Sequence, residues 1–353
     1  MALANVASLL LQPAIAALID RNNVFSLRVC LSAGAGVASL IALFELNPSN
    51  PAAVTAVLFG AMATVTLTLQ PLSNAVGFHY LNRGEKLDFT AGRGIASGAY
   101  ALASLAYGFL FDAFGAPHVL WLYLAGNAGL FLMAMLFAPH RDSDVQTKKA
   151  PAAGVLTVLR KNPWFTLFLV GNVLMFIPHN FTCNYLYSIS QATGARMEVA
   201  SAIMAASEIP IMLLLSRIMK RISVNRLLCV SSLLFILKIL LLTLPVLFPI
   251  GGWLIYVGEA LQMVSYAVFV PVSAFFANAC MDESDKVKGQ MLLTETTILA
   301  GIVSMLLGGI AIDTLGIPIA MFICIGLFTL ASVVIIFSVV KNQKQLDLQI
   351  AAK

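Results

Sequence analysis

Long apolar runs, broken by short polar or charged loops, follow one another from end to end of this chain. A bilayer hydrocarbon core of roughly 30 Å is crossed by about 20 predominantly apolar helical residues. That length predicts membrane helices over residues 2–19, 27–45, 52–80, 91–111, 119–138, 164–189, 197–216, 226–245, 252–280, 290–312 and 317–340, about eleven in all. The runs are continuously apolar and lack the ten-residue alternation of a membrane barrel, so strands do not fit. The opening stretch MALANVASLLLQPAIAALIDR lacks a basic start and a small-residue cleavage site. It reads as a membrane helix and not as a signal peptide.

Composition agrees with lipid as the solvent. Of 353 residues, 60% are hydrophobic and only 10% charged, against roughly 25% charged in an average soluble domain; the mean hydropathy is +0.92. The net charge of +5 comes from basic residues in short loops, with no contiguous groove for nucleic acid. Cytoplasmic loops of membrane proteins collect Lys and Arg. One set of loops here, running from Arg21 and Arg28 through Arg83, Arg141, Lys161 and Arg221 to Lys353, holds 19 of the 21 basic residues. The other set holds Arg196, and Lys238 lies inside a helix. The bias places the C-terminus in the cytoplasm and, with eleven crossings, Met1 outside. The five cysteines are scattered singly, without the spacing of a zinc site or a disulfide framework.

The chain also repeats itself. GFLFDAFG at Gly108–Gly115 recurs as GIAIDTLG at Gly309–Gly316, with Asp112 and Asp313 201 residues apart. Pro71-Leu-Ser73 recurs as Pro271-Val-Ser273, 200 apart, and Pro13 matches Pro210, 197 apart. The longest polar segment, from His140 to Lys161, reads as a linker between the two halves. The expected domains are an N-terminal bundle of five helices (1–139), a cytoplasmic linker (140–162), a C-terminal bundle of six (163–341) and a cytoplasmic tail (342–353). The helix at 164–189 has no counterpart 200 residues earlier. The expectation is therefore a protein of twelve helices whose first is missing, with a non-transporting remnant as one possible consequence.

An ionisable residue near the bilayer centre costs at least ~2.5–3.5 kcal/mol on insertion scales, so it faces a cavity or a partner. Glu208, Lys238 and Glu259 lie deepest by sequence distance from the flanking loops, and Arg93 lies nearer the cytoplasm. A desolvated carboxylate can take up and release a proton. Two carboxylates and one lysine leave either Glu208 or Glu259 without a fixed counter-charge, so all three are candidates for proton coupling. The competing reading is a structural pair that ties helices together. Arg93 can meet an anionic or hydroxyl group with its planar fork, or extend toward the headgroups. His179, Asn180 and Asn184 crowd the outer half of their helix, Asn180 and Asn184 on one face; Gln262 and Tyr266 form a weaker polar set on the helix at 252–280. Such faces can bind a polyol or a base, or serve as interhelical glue. Asp20, Arg21 and Arg28 suit conformational gating at an inner turn, besides anchoring the topology. No clustered His/Asp/Glu constellation suggests an enzyme.

Two repeated halves, a long central linker and the Asp20-Arg21 turn after Pro13 resemble the major facilitator superfamily, in which parallel repeats build the fold. LDFTAGRGIASGAYALASLAYGFLFDAFG (Leu87–Gly115) resembles the fifth-helix motif of its branch of oligosaccharide and nucleoside proton symporters and phenylpropionate permease-like proteins, the lactose permease relatives. SEIPIMLLLSRIMKR (Ser207–Arg221) resembles the branch's eighth-helix motif. The resemblance implies an all-α membrane protein, two helical bundles related by a pseudo-two-fold axis. It also implies substrate-site roles for Arg93, Tyr100 and Asn74, the last standing near a position that is often acidic in the family. Lactose permease carries a His and a Glu on its tenth helix, where this chain has Glu259-Ala-Leu-Gln262. The implied function is proton-coupled symport of a sugar, oligosaccharide or nucleoside by alternating access, with export of drugs or metabolites as the alternative. The expected setting is a monomer in the cytoplasmic membrane, with a small-molecule substrate and no cofactor beyond the proton gradient.

Overall fold

The computed structural model describes residues 26–47, 49–82, 89–115, 118–137, 155–281 and 286–351, with parts of residues 3–15. All described regular structure is helical, because in hydrocarbon a helix satisfies its own backbone polar groups. We number the helices α1 (Leu27–Glu45), α2 (Ala52–Asn82), α3 (Phe89–Phe114), α4 (Val119–Phe137), α5 (Val155–Lys161), α6 (Pro163–Asn184), α7 (Leu186–Thr193), α8 (Met197–Met219), α9 (Val224–Leu247), α10 (Trp253–Ala260) and α11 (Tyr266–Cys280). Helical structure over Lys286–Ala351 is interrupted at Gly316 (φ 81, ψ 163), giving α12 before it and α13 after it. Among the described residues, nine stretches are long and apolar enough to cross a membrane, and the last of them, Gly289–Asn342, joins two crossings at Gly316.

Two of the predicted spans are not single helices. The span at 252–280 divides into α10, a 3-10 turn at Leu261–Met263 and α11, with Ser265 at φ −90 and ψ −86 between them. The span at 164–189 bends at Tyr185, where α6 passes into α7. Neither break carries a glycine or proline, which is why residue counting alone ran through them.

The chain forms two compact units. One comprises residues 1–89 and 106–148, the other 90–105 and 149–353. In the first, α1 lies against α2 and α4, with Leu31, Leu69 and Ala134 buried among them. Gly34 allows that approach, since a Cβ there would lie 2.4 Å from Leu69 Cδ2. Thr66 and Tyr123 hydroxyls meet at 2.5 Å between α2 and α4. The second unit is built on a large aromatic and aliphatic core. Phe168 packs against Phe276 (ring centroids 4.7 Å) and Phe235 stacks on Phe328 (5.3 Å). α6 and α13 pack closely where Gly171 faces Ile335, and Ser332 Oγ donates to the Ser232 carbonyl at 2.9 Å, fastening α13 to α9. Residues 90–105 of α3 join this unit through small side chains: Gly98 faces Ile209 of α8, and Ala101 is buried with Ala202 and Ala205.

Candidate functional site

The second unit's interior holds a chain of polar side chains drawn from five helical elements. Lys238 of α9 donates from Nζ to Glu259 Oε2 of α10 at 2.7 Å and to Gln262 Oε1 of the 3-10 turn at 2.7 Å. Gln262 Nε2 donates to Glu208 Oε1 of α8 at 3.2 Å. Ser97 Oγ of α3 donates to Glu208 Oε2 at 2.9 Å. Lys238, Glu259 and Gln262 are at most 2% exposed and Glu208 is 9% exposed. Burial of this kind is tolerable only where charges are paired and hydrogen-bonded, and both conditions hold at Lys238 and Glu259.

The local backbone explains the convergence. The residue spacing from Glu259 to Gln262 would bring both side chains to one face of a regular helix. The 3-10 turn tightens this, and Lys238 reaches both at once. The two partners of Glu208 among the described residues, Gln262 and Ser97, are uncharged. Glu259 therefore holds the lysine's charge, and Glu208 receives it only through an amide.

His179 borders this chain. It is 5% exposed, stacks on Tyr266 (4.6 Å, 20°) and meets the rings of Phe176 and Phe235 edge-on at 5.7 Å each. Its Nε2 lies 3.8 Å from Cys183 Sγ, and its Nδ1 has no hydrogen-bond partner among the described residues. Cys183 in turn lies within electrostatic reach of Lys238, Glu259 and Glu208.

The structure thus brings Glu208, Lys238, Glu259 and Gln262 into one network and joins His179 to Tyr266. It does not bring Asn180 and Asn184 into that network. Asn180 is half-buried, with its amide toward Gly301 of α12, and Asn184 is exposed. Tyr100 is half-exposed on α3, one turn beyond Ser97. Asn74 and Arg93 lie on α2 and α3, but their side chains fall outside the described residues. Asp20 and Arg21 also lie outside them, while Arg28 is half-buried in the first turn of α1. Ser97 was missed in the sequence. Its signal was spacing: Arg93, Ser97 and Tyr100 stand at i, i+4 and i+7 on one helix face.

Residues 1–324 match the family described as MFS_1 like. No curated protein matches the sequence. Among solved structures, the chain is similar to a point mutant of the nucleoside transporter NupG, with a TM-score of 0.68 and 16% identity over 96% of this chain and 89% of that one. It is also similar to NupG itself, with a TM-score of 0.64 and 17% identity over 97% and 89%. At these identities the likeness establishes the fold of the major facilitator superfamily.

Proposed function

This chain belongs to the MFS_1 like family of major facilitator superfamily transporters, and on that premise we propose that it carries out proton-coupled symport of a small polar solute, of the sugar or nucleoside class. Glu208 is the proton carrier in this reading. The observation that carries it is the division of partners in the buried network: Lys238 is paired with Glu259, while Glu208 is bonded only to the neutral Gln262 and Ser97 among the described residues. Ser97 suits both protonation states, since a hydroxyl can donate to a carboxylate or accept from a carboxylic acid. The solute class is supported by the character of the surrounding groups. Tyr100, Gln262, Tyr266 and His179 supply hydrogen bonds and aromatic faces that a ribose, base or pyranose ring can use. Alternating access would then proceed by movement of the bundles at 1–139 and 163–341 about the linker at 140–162, with Asp20, Arg21 and Arg28 at the gate.

Reconstitution into vesicles tests this directly. A panel of radiolabelled sugars and nucleosides is offered under an imposed proton gradient, with external pH recorded. Symport predicts accumulation and alkalinisation of the compartment from which the solute leaves. An opposite sign of proton movement would assign the chain to the exporter class. Glu208→Gln is expected to abolish gradient-driven accumulation while leaving solute exchange measurable. Accumulation undiminished in this variant would remove Glu208 from the proton path.

A further inference from the structure

Gln262 occupies a position with an unusual chemical constraint. A lysine ammonium only donates hydrogen bonds, so the group that Gln262 presents to Lys238 must be its carbonyl oxygen. The 2.7 Å contact from Nζ to Oε1 has this arrangement. The amide nitrogen is then necessarily turned the other way, toward Glu208 Oε1 at 3.2 Å. An NH2 group can donate to a carboxylate oxygen but cannot accept the proton of a carboxylic acid there. The lysine's charge therefore dictates, through the orientation of one amide, that Glu208 meets a donor.

We propose that Gln262 is a two-position switch linking the protonation of Glu208 to the Lys238–Glu259 pair. In the position seen here, Lys238 anchors the carbonyl and the NH2 stabilises ionised Glu208. In the other, the amide is reversed, and the Gln262 carbonyl accepts the proton of neutral Glu208. The two hydrogen bonds of the first position cannot persist with the amide reversed, because Lys238 would then face an NH2. In this second position Lys238 is released from Gln262 and keeps Glu259 as its side-chain partner. The backbone favours this mobility. Gln262 sits in a 3-10 turn between two helices, with Ser265 out of helical geometry just beyond it, and not within a continuous ladder of hydrogen bonds.

The remaining polar and titratable groups around Glu208 are few. Ser97 of α3 bonds Glu208, and Cys183 of α6 lies within its electrostatic reach; Tyr100 of α3 lies within reach of Glu259 and His179 of α6 within reach of Lys238. None of the described side chains among them bridges Lys238 to Glu208; Gln262 does.

The inference rests on Glu208 being the proton carrier, and the experiment separates the two. The full-length chain in lipid nanodiscs is titrated without solute, and the carbonyl stretch of protonated carboxyl groups is followed by infrared difference spectroscopy. Glu208→Gln is expected to remove one titrating band. If no band is lost, the carrier reading itself fails. Gln262→Met fills similar space without hydrogen bonding. It is expected to move that band's midpoint toward alkaline pH by about one unit, the size of one lost charge-assisted hydrogen bond. The charge-neutral double variant Lys238→Met/Glu259→Met frees the amide from the other end and is expected to move the midpoint in the same direction. The triple variant should move it no further than the larger of the two, since both changes act through one element. A band that vanishes in Glu208→Gln but keeps its midpoint in Gln262→Met and in the double variant, or shifts that simply add, would overturn the switch and leave the carrier reading standing.

Discussion

Lys238 and Glu259 form the most completely desolvated ion pair among the described residues, at 2% and 1% side-chain exposure and 2.7 Å apart. Removing one member of such a pair leaves an uncompensated charge in a low-dielectric interior, at a cost of about 3–5 kcal/mol. Removing both together leaves apolar side chains in an apolar setting. Lys238→Met and Glu259→Met are therefore each expected to lower the thermal unfolding midpoint of the detergent-solubilised protein sharply. The double variant is expected to recover most of that loss in the same melting experiment. His179 offers a second test at this scale. Its Nδ1 is buried without a partner among the described residues, while its ring is held between Tyr266, Phe176 and Phe235. His179→Phe keeps the ring packing and removes the unsatisfied nitrogen, so the melting point is expected to hold or rise. Loss of solute binding in the same variant would mark the nitrogen as a ligand group. The ionisable members of the site were legible in the sequence because a charge inside a twenty-residue apolar run has few physical explanations. Ser97 was not, because a serine in a membrane helix most often bonds its own backbone, as Ser39 does to the Ala35 carbonyl at 2.9 Å.

At the scale of elements, helix length was legible and helix integrity was not. The bilayer dictates how many apolar residues make a crossing, but it says nothing of where a crossing is broken. The turn at Leu261–Met263 lies within ALQMVSYAV, which holds neither glycine nor proline. Prolines also lie inside helices, among them Pro178, Pro210, Pro245 and Pro271, where neighbouring helices can compensate the lost hydrogen bond. Tertiary contacts, not local chemistry, decide both outcomes. Close packing of elements can be tested at Gly171. A Cβ there would lie 2.7 Å from Ile335 Cγ1 and 3.4 Å from the Ile335 backbone nitrogen. Gly171→Val must push α13 away from α6 or force strained rotamers, at about 1–3 kcal/mol. Gly126→Ala, where the added carbon meets nothing within 4 Å, removes a flexible residue from the interior of α4 and is expected to be neutral or stabilising by up to about 1 kcal/mol. Differential scanning fluorimetry of the two variants in one detergent compares them directly. Equal melting points would show that the α6–α13 contact is not tight.

For the whole molecule, repeat spacing and charge bias were informative to different depths. The 200-residue offsets point to two related halves, and residues 1–324 match a transporter family accordingly. The repeat did not show that residues 90–105, from the first half, pack into the second unit. That placement depends on the small residues Gly94, Gly98 and Ala101 finding Met212, Ile209 and the Ala202–Ala205 surface, and small apolar residues carry no address in a sequence. Orientation rests on charge. Insertion follows the distribution of Lys and Arg over short loops near helix ends, and a distribution of 19 to one leaves little competing signal. The basic residues nearest the C-terminal end of the last crossing are Lys341, Lys344 and Lys353, so this end is expected in the cytoplasm. A fluorescent protein that matures only in the cytoplasm, fused after Lys353, is expected to fluoresce, and alkaline phosphatase fused at the same point is expected to be inactive. A fusion after Arg196, in the opposite set of loops, should give the reverse pair of results. The reversed pattern at both points would invert the protein in the membrane and, with it, the side from which Glu208 takes its proton.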